Sequence, residues 1–324
     1  MKETIQKIKQ GLFPGSALDS LSFSEFRKPT WEEDISLHHD PAGSFENAPP
    51  PCEMPLEAFN VPSYVTEKLL NGRSLADYVA RDQFPIPHAR DREGYQVNHD
   101  ARYFLNGLAD FLWLESVANK YQLQLNSFLD FGCASGRVLR HFCSHTQLKH
   151  LWGCDINGRH IKWMNDYLPA RLKMIHSHGL SHLPIASSSI DMISAFSVFT
   201  HIDTFESGWL SELHRILKPG GLVYLTVHND ATWKHLQSAQ ANATSHHLLN
   251  RLCQIEPKTS EMLRHDIPAE RTVFRYADVG PYRALVFHSN AYLHRLWGRF
   301  FEVLEIVPMA HGNCQSVLVG RKRS

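Results

Sequence analysis

The sequence lacks an excess of charge of either sign. It has 33 lysines and arginines against 33 aspartates and glutamates in 324 residues, and its densest basic run is the terminal "RKRS". Proteins that bind nucleic acids usually carry a basic stripe with interleaved aromatic residues. Because the basic residues here are scattered, we expect no nucleic-acid partner.

Long apolar runs and a secretion signal are also missing. No apolar stretch approaches the roughly 20 residues that span a bilayer, and "MKETIQKIKQGLFPGS" has neither an apolar core nor a small-residue cleavage site. The six cysteines, at positions 52, 133, 143, 154, 253 and 314, form no Cys-x-x-Cys pair. This usage is typical of reduced thiols, so we expect a cytoplasmic protein without membrane contact.

One segment, "HSHGLSH", is dense in histidine and places His176, His178 and His182 together. Histidine is a common zinc ligand, but no carboxylate lies nearby in the sequence. A strand end followed by a surface loop explains the segment more simply, so we expect no metal site.

The first 100 residues are expected to form an N-terminal arm and a helical cap, and residues 101–324 an α/β domain. Prolines crowd "PAGSFENAPPPCEMPLEAFNVP" and exclude regular helix and central strand there. Helical patterns follow in "SYVTEKLLNGRSLADYVARDQF", which Asn71 and Gly72 interrupt, and in "DARYFLNGLADFLWLESVANKY".

From about residue 126 the pattern alternates between strands and helices. The predicted strands are "SFLDF", "HLWGCD", "RLKMIH", "IDMISAF" and "LVYLTVH". Helices are predicted from Ser135, through "GRHIKWMNDYL", and from Asp203, where Asp203 and Glu206 have the spacing of a capping box. This alternation predicts βαβ units in a Rossmann-like, doubly wound sheet with helices on both faces.

The carboxyl-terminal part departs from this rhythm. Residues 231–280 hold a predicted helix, "SHHLLNRLCQI", and a polar loop, which we interpret as a cap insertion. The stretch that begins "ALVFHSNAYLHRLW" is interpreted as a helix followed by two strands joined by "AHGN". Those two strands would add an antiparallel hairpin to one edge of the sheet.

A glycine-rich turn follows the first of the alternating strands, in "SFLDFGCASGRVLRHF". Gly132 and Gly136 let the backbone turn sharply and approach a ligand. Asp155 ends the next strand, where an acid accepts hydrogen bonds from both hydroxyls of a ribose. The dinucleotide fingerprint G-x-G-x-x-G is not met, and Asp130 would be a poor neighbour for a pyrophosphate. The cationic adenosine derivative S-adenosylmethionine therefore suits this turn better than NAD.

Over about residues 100–322 the chain resembles the class I S-adenosylmethionine-dependent methyltransferases. "LDFGCASGR" is similar to the family's first motif and "GCDIN" to its acidic second-strand motif. "LPIASSSIDMISAFSVFTHI" and "LSELHRILKPGGLVYLTV" are similar to the segments around its fourth and fifth strands. The resemblance implies a seven-stranded sheet with its last strand antiparallel, and a reaction that converts S-adenosylmethionine to S-adenosylhomocysteine.

The resemblance also implies roles for single residues. Those that would contact the donor follow four strand ends: Asp130, Gly132, Cys133, Ala134, Gly136 and Arg137, then Asp155 and Ile156, then Leu180, then Ser197. Asp155 would hold the ribose and Ile156 the adenine, while Asp130 and the glycine turn would face the methionine part. Arg137 either contacts the donor's carboxylate or covers the helix surface. The alternative for Asp130, Ser135 and Asp155 is that each caps a helix.

Two histidines are candidate catalytic residues. Methyl transfer to a hydroxyl or an ammonium group needs a base. His201 in "SVFTHI" and His228 in "VHND" fall on the expected active-site edge. The alternative for each is a histidine whose ring only satisfies buried hydrogen bonds.

The acceptor is narrowed by two missing motifs. Neither an Asp/Asn-Pro-Pro-Tyr/Phe stretch nor a Pro-Cys pair follows the fourth strand, which argues against the nucleic-acid enzymes that methylate amino groups and those that methylate a cytosine carbon. This favours an oxygen or nitrogen atom of a small molecule or a sugar-containing metabolite. The N-terminal arm and the insertion are expected to form a lid, with Tyr95, Tyr103, Trp233 and His235 lining the acceptor side. Two alternatives are a catalytically silent donor-binding scaffold and a NAD-dependent Rossmann oxidoreductase.

Overall fold

Among residues 43–94 the fold contains four short strands and α-helices, together with three 3-10 helices (Pro51–Glu53, Leu56–Phe59 and Ala89–Asp91). A computed structural model describes residues 43–94, 99–238, 243–275 and 284–323. Its first elements are β1 (Asn47–Ala48), α1 (Glu67–Leu70), α2 (Leu75–Arg81) and β2 (Ile86–Pro87). β1 pairs with β2 in an antiparallel two-stranded sheet. Asn71 ends α1 in the left-handed conformation, with φ of 50°, and Gly72 follows with φ of 80°, so the predicted interruption is confirmed.

The central elements follow the predicted order, with strands and helices alternating except between β5 and β6, which no helix separates. They are α3 (Asp100–Lys120), β3 (Ser127–Phe131), α4 (Leu139–His145), β4 (His150–Asp155), α5 (Gly158–Tyr167), β5 (Leu172–His176), β6 (Ile190–Ala195), α6 (Glu206–Ile216) and β7 (Leu217–Val227). β3 pairs in parallel with β4 on one side and with β6 on the other. β5 and β7 extend the parallel sheet in the two directions.

The carboxyl-terminal elements are α7 (Asp230–Gln237), α8 (Ala243–Ile255), α9 (Thr259–Met262), β8 (Arg271–Arg275), β9 (Ala284–His288), α10 (Asn290–Arg295), β10 (Glu302–His311) and β11 (Gln315–Arg321). β11 runs antiparallel to both β7 and β10. The seven strands have the order β10-β11-β7-β6-β3-β4-β5. The predicted sheet with an antiparallel last strand is confirmed.

Two apolar layers cover this sheet. Along β3, Phe128 belongs to one layer and its neighbour Leu129 to the other, because side chains alternate between the faces of a strand. The first layer packs α3, α4 and α5, and in it Phe128 stacks on Phe142 with ring centroids 4.0 Å apart. The second layer packs α6 and α10 around Trp209 and Trp297. The sheet is therefore buried on both faces, as the sequence predicts.

Three details of the predicted elements are wrong. α4 begins at Leu139 rather than Ser135, because positive φ angles at Gly132, Ala134 and Gly136 are incompatible with a helix. The stretch predicted as a helix from residue 284 begins with β9, which pairs with β8 in a separate two-stranded sheet. The third detail is the capping box that was predicted for Asp203 and Glu206 at the start of α6.

Glu206 anchors a network instead of capping α6. The residue before α6, Phe205, has φ of 57° and makes no side-chain cap. Glu206 is 6% exposed, accepts a hydrogen bond from Trp297 Nε1 at 2.6 Å, and pairs with Arg271. Arg271 also donates to the carbonyl oxygens of Ile202 and Asp203. The network therefore ties β8 to the loop that follows β6.

The insertion has its own apolar cluster. Trp233 of α7, Leu248 and Leu252 of α8, Phe274 of β8 and Phe287 of β9 are buried together. Trp233 Nε1 donates to the carbonyl oxygen of His265 at 2.9 Å. The insertion is thus a packed unit beside the carboxyl end of β7, not an extended loop.

Candidate active site at the carboxyl ends of the strands

A cleft of about 630 Å³ opens where the parallel strands end. The strand order reverses between β4 and β6 on either side of β3. In open α/β sheets such a switch point is where ligands bind. Four groups of residues line the cleft: Phe131, Gly132, Ala134, Asp155 and Ile156 at β3 and β4; Ser177, His178 and Gly179 after β5; Phe196, Ser197, Val198, His201, Ile202, Asp203, Thr204 and Trp209 after β6; and Glu93, Gly94, Thr244, His247, Arg251 and Gln315 from more distant segments.

The two glycines of the turn after β3 have different surroundings. Gly132 lines the cleft with φ of 74°, and a Cβ on it would lie 2.3 Å from Val198 Cγ2. Gly136 has φ of 77°, and its Cβ would lie 2.8 Å from Met164 Sδ, outside the cleft lining. Gly132 therefore keeps the backbone open to a ligand, whereas Gly136 allows the turn to pack on α5.

Asp155 holds the turn with both of its carboxylate oxygens. Oδ2 accepts the Ala134 N–H at 2.7 Å, and Oδ1 accepts the Asn157 N–H at 2.8 Å. The cap of α5 is Asn157, whose side chain accepts the Arg159 N–H at 3.0 Å, so the alternative that Asp155 caps this helix is wrong. A carboxylate offers about four acceptor positions. Asp155 therefore keeps acceptor capacity for hydroxyl groups in the cleft.

Asp130 lies behind the cleft rather than in its lining. It is 2% exposed, and Ser194 Oγ donates to its Oδ1 at 2.6 Å. Burial raises the pKa of Asp130 to about 7, although the Ser194 hydrogen bond opposes the rise. The first residue before α4, Val138, has no side-chain cap, so neither Asp130 nor Ser135 caps that helix.

Arg137 and Cys133 are turned away from the cleft lining. Arg137 Nη1 pairs with Asp110 Oδ2 at 2.6 Å, and His311 Nδ1 lies 3.3 Å from the other Asp110 oxygen. The Arg137 guanidinium lies 5.8 Å from the centre of the Phe196 ring, which itself lines the cleft. Cys133 is buried, and burial raises the pKa of its thiol. Arg137 is buried, so it does not simply cover the helix surface, and its contact with the donor's carboxylate stays a prediction.

The loop after β5 reaches the cleft one residue earlier than predicted. Ser177, His178 and Gly179 line it, whereas Leu180 is 38% exposed and lies outside the lining. The Ser177 N–H donates to the Asp155 carbonyl at 2.8 Å, which ties this loop to β4. Within the described ranges, no group of three or more histidine, cysteine or acidic side chains is placed to hold a metal ion.

Ser197 is held in a strained conformation beside Gln315. Its φ is 59°, in a region that costs a residue other than glycine of order 1–3 kcal/mol. The Ser197 N–H donates to Thr226 Oγ1 at 2.7 Å, and Gln315 Nε2 donates to Ser197 Oγ at 2.9 Å. The hairpin of β10 and β11 thus contributes directly to the cleft, which the sequence did not predict.

His201 lines the cleft with a defined tautomer. Its Nδ1 lies 2.9 Å from the carbonyl oxygen of Ala284, so Nδ1 carries the hydrogen and Nε2 the lone pair. Burial lowers the pKa of His201 to about 4; the bond to Ala284 opposes this, and the charge of Arg251 adds to it. The ring is therefore neutral at pH 7.

His228 lies outside the cleft lining. It is 4% exposed, and its ring packs on Phe287 with centroids 5.0 Å apart. Burial lowers the pKa of His228 to about 3, and Nδ1 has no hydrogen-bond partner. This placement favours a packing role, so the predicted catalytic role has no geometric support.

The predicted acceptor-side residues do not line the cleft where they are described. Tyr103 is buried beside Ser135, with 3.2 Å between their hydroxyl oxygens. Trp233 belongs to the core of the insertion, and His235 on the same helix is not in the lining either. Tyr95 lies outside the described residues. The insertion instead contributes α8, where Thr244, His247 and Arg251 follow one another at helical spacing.

Residues 129–225 match the family described as a methyltransferase domain. This range runs from β3 through β7 and includes the glycine turn and Asp155. Over this range, which is less than half of the chain, the sequence is similar to methyltransferase domains. The methyl donor of this family is S-adenosylmethionine, and the open backbone at Gly132 with the acceptor capacity of Asp155 fits that group.

Several solved structures are similar to this methyltransferase domain. A putative methyltransferase in complex with the Haloferax volcanii Trm112 methyltransferase activator is 14% identical over 67% of this chain and 93% of its own, with a TM-score of 0.45. Burkholderia thailandensis 1,6-didemethyltoxoflavin-N1-methyltransferase is 13% identical over 87% and 97%, with a TM-score of 0.44. An S-adenosylmethionine-dependent methyltransferase of Clostridium acetobutylicum is 10% identical over 67% and 92%, with a TM-score of 0.45.

No curated protein sequence matches this chain. Its six cysteines all lie in described residues and are unpaired. Among the helices of the described ranges, none has the length and apolarity needed to cross a membrane.

Proposed function

We propose that this methyltransferase domain transfers the methyl group of S-adenosylmethionine to an oxygen or nitrogen atom of a small molecule or a sugar-containing metabolite. The observation that carries the proposal is that Gly132, Asp155 and His201 line one cleft at the switch point of the sheet. Two of these groups suit the donor, and the third suits an acceptor. The neutral charge balance of the chain supports a small acceptor rather than a nucleic acid.

The donor end of the cleft is assigned to β3 and β4. Asp155 accepts hydrogen bonds from the ribose hydroxyls through the capacity that its two backbone bonds leave open. Ile156 supplies an apolar surface for the adenine, and the backbone at Gly132 and Ala134 approaches the rest of the donor. Asp130 and Arg137 act from behind this lining, since neither borders the cleft.

The remaining residues position the acceptor. When bound, the donor supplies a methyl group on an electron-poor sulfonium. The chain must hold the acceptor atom in line with that methyl group, and positioning of this kind contributes roughly 7–11 kcal/mol in favourable systems. Ser197 and Gln315 form a fixed pair at this point of the cleft. Their hydrogen bond limits the movement of the wall against which the acceptor lies.

His201 is proposed as the residue that accepts the acceptor's proton or hydrogen bond. The hydrogen bond from Nδ1 to Ala284 orients the ring and leaves the lone pair on Nε2. With a pKa of about 4, the ring is neutral at physiological pH and is a weak base. It therefore suits an acceptor whose proton leaves as the new bond forms better than one that must be deprotonated first.

The insertion is proposed as a cap over the acceptor end. Thr244, His247 and Arg251 of α8 line the cleft opposite the strand ends. Arg271 fixes the loop after β6 by donating to the carbonyl oxygens of Ile202 and Asp203. The cap and the strand ends are thus joined by direct hydrogen bonds. The six unpaired thiols support a cytoplasmic location.

The test is a transfer assay with methyl-labelled S-adenosylmethionine and a fractionated extract of small metabolites, with the Asp155→Ala variant as a control. We expect label in a small-molecule fraction with the wild-type protein, and little or none with the variant. Label in protein or nucleic acid would contradict the proposed acceptor class. Donor binding without transfer to any fraction would favour a silent scaffold.

A further inference from the structure

One side of α8 faces the cleft and carries polar groups. Thr244, His247 and Arg251 line the cleft, and their spacing of three and four residues places them on one side of a helix. We call these three residues the α8 polar face. Leu248 and Leu252 lie on the adjacent side, about a quarter of a turn around the helix, and are buried in the core of the insertion. Their burial fixes the rotation of α8, so the polar face is directed into the cleft by packing.

The charge on this face is positive and close to the proposed proton acceptor. Arg251 carries a permanent charge, and that charge is near enough to His201 to lower its pKa. Thr244 and His247 add a hydroxyl and an imidazole that can donate hydrogen bonds. Arginine recognises carboxylate and phosphate groups by paired hydrogen bonds. The polar face therefore has the chemistry of an oxyanion site.

Asp203, the acidic residue of the cleft nearest in sequence to His201, is already paired with other cations. Arg275 Nη2 donates to Asp203 Oδ2 at 2.8 Å, and the Asp203 side chain is 5% exposed. Arg271 also donates to the Asp203 backbone oxygen. The two other carboxylates in the lining lie elsewhere: Asp155 is bonded to the turn after β3, and Glu93 lies 3.5 Å from His160. The negative charge of Asp203 is thus balanced by Arg275.

We propose that the methyl acceptor bears an oxyanion, a carboxylate or a phosphate, which the α8 polar face binds through Arg251 with help from Thr244 and His247. This inference rests on the proposed function, because it assigns the other half of the same cleft. It makes Arg251 a residue that determines specificity rather than one that takes part in methyl transfer. Neutral analogues of the acceptor are bound more weakly.

The experiment uses protein saturated with S-adenosylhomocysteine, titrated in a calorimeter with benzoate, phenyl phosphate and the neutral benzamide. A charge-assisted hydrogen bond contributes about 1.5–3 kcal/mol, so we expect at least one anion to bind roughly tenfold tighter than benzamide, or more. Benzoate and phenyl phosphate distinguish the two sources of the oxyanion. The Arg251→Gln variant is expected to lose the preference for anions.

The matched control is Arg264→Gln, which removes the same charge from an exposed position of the same insertion. It should keep the preference for anions, and both variants should bind S-adenosylhomocysteine within about twofold of wild type. Equal binding of anions and benzamide, or a preference that Arg251→Gln retains, would overturn the proposal. So would a large loss of S-adenosylhomocysteine affinity in Arg251→Gln alone, since Arg251 would then hold the donor's own carboxylate. Failure of wild-type protein to bind S-adenosylhomocysteine would instead remove the proposed function, and this inference with it.

Discussion

The proposed donor end and the proposed acceptor end of the cleft are built differently. The donor end consists of two short segments, the turn after β3 and the end of β4, which are adjacent strands of the sheet. The acceptor end combines the loop after β6, α8 of the insertion and β11. Ser197 and Gln315, which hydrogen-bond there, are 118 residues apart in sequence. A local motif thus specifies the donor site, while the acceptor site depends on tertiary packing and can change separately.

The largest expected effect is the loss of S-adenosylhomocysteine affinity in the Asp155→Ala variant. Asp155→Ala removes the carboxylate that is assigned to the ribose and that also holds the Ala134 and Asn157 N–H groups. The loss of two charge-assisted hydrogen bonds corresponds to about 3–6 kcal/mol, or roughly a hundredfold or more in affinity. Calorimetry with S-adenosylhomocysteine measures it. Asp166→Ala, which removes an exposed acid paired with Lys162, is the control and should bind normally. Equal affinities of the two variants would count against the assignment.

A second effect tests the buried acid of the donor end. Burial raises the folded-state pKa of Asp130 to about 7, above its ordinary value of 3.8. Its contribution to stability is therefore fully present below about pH 4 and is lost as the pH rises through about 7. The loss is at most about 4 kcal/mol. Urea unfolding of Asp130→Asn between pH 4 and 8 should show a flatter pH dependence than wild type and higher stability at pH 8. Parallel pH profiles would show that Asp130 is not the group responsible.

A third effect is directed at the acceptor end. Glu206→Gln removes the charge that faces Arg271 and keeps an amide oxygen for Trp297. Breaking a buried ion pair lowers the free energy of unfolding by about 3–5 kcal/mol. Because the hydrogen bond from Trp297 is retained, we expect Glu206→Gln to lower it by an amount near the lower limit. The affinity for S-adenosylhomocysteine should change little, because the donor end lies elsewhere. Glu261→Gln, at an exposed site on α9, is the control.

The stability difference between wild type and Glu206→Gln should depend on pH. Burial alone would raise the pKa of Glu206, but His288 and Arg271 lower it below its ordinary value of 4.5. For a carboxylate with a lowered pKa, the stabilisation is present above the unfolded-state value and is lost as the pH falls through the folded-state value. The stability difference between wild type and Glu206→Gln should therefore narrow below about pH 4.5. A difference that persists unchanged into acid would contradict this account of the network.

The smallest effect concerns the backbone of the donor end. Gly132→Ala places a Cβ 2.3 Å from Val198 Cγ2 at a φ of 74°. The left-handed conformation alone costs about 1–2 kcal/mol, and the contact adds to it. S-adenosylhomocysteine affinity should fall roughly tenfold. The double variant Gly132→Ala with Val198→Ala should recover the part due to the contact, as a double-mutant cycle measures. No recovery would mean that the contact with Val198 is not the cause.

The turn and the strand end at the proposed donor end could be predicted from the sequence because their information is local. A strand, a glycine turn and a second strand that ends in an acid occupy one continuous stretch from Ser127 to Asp155. The parallel part of the sheet followed from the alternation of strands and helices, whereas its seven strands and antiparallel last strand were implied by the resemblance to the class I methyltransferases. The predicted start of α4 at Ser135 was wrong, because nothing in the sequence shows that Ala134 takes a positive φ. Alanine rarely adopts that conformation, so only the packed turn reveals it.

The acceptor end was less predictable. The four apolar residues of β9 cannot be told from part of a helix by periodicity, since the strand is short and a helix follows it. The spacing of Thr244, His247 and Arg251 is visible in the sequence, but the surface they face is set by the burial of Leu248 and Leu252. His228 follows a strand end as a catalytic residue would, yet Phe287 of β9 packs on its ring.

The most direct test of the central claim is a calorimetric titration of the wild-type protein with S-adenosylmethionine, S-adenosylhomocysteine and NAD. The account predicts saturable binding of the first two at one site per chain and no binding of NAD, since the G-x-G-x-x-G turn is absent and a buried carboxyl group lies behind Gly132. Binding of NAD without binding of S-adenosylmethionine would contradict it.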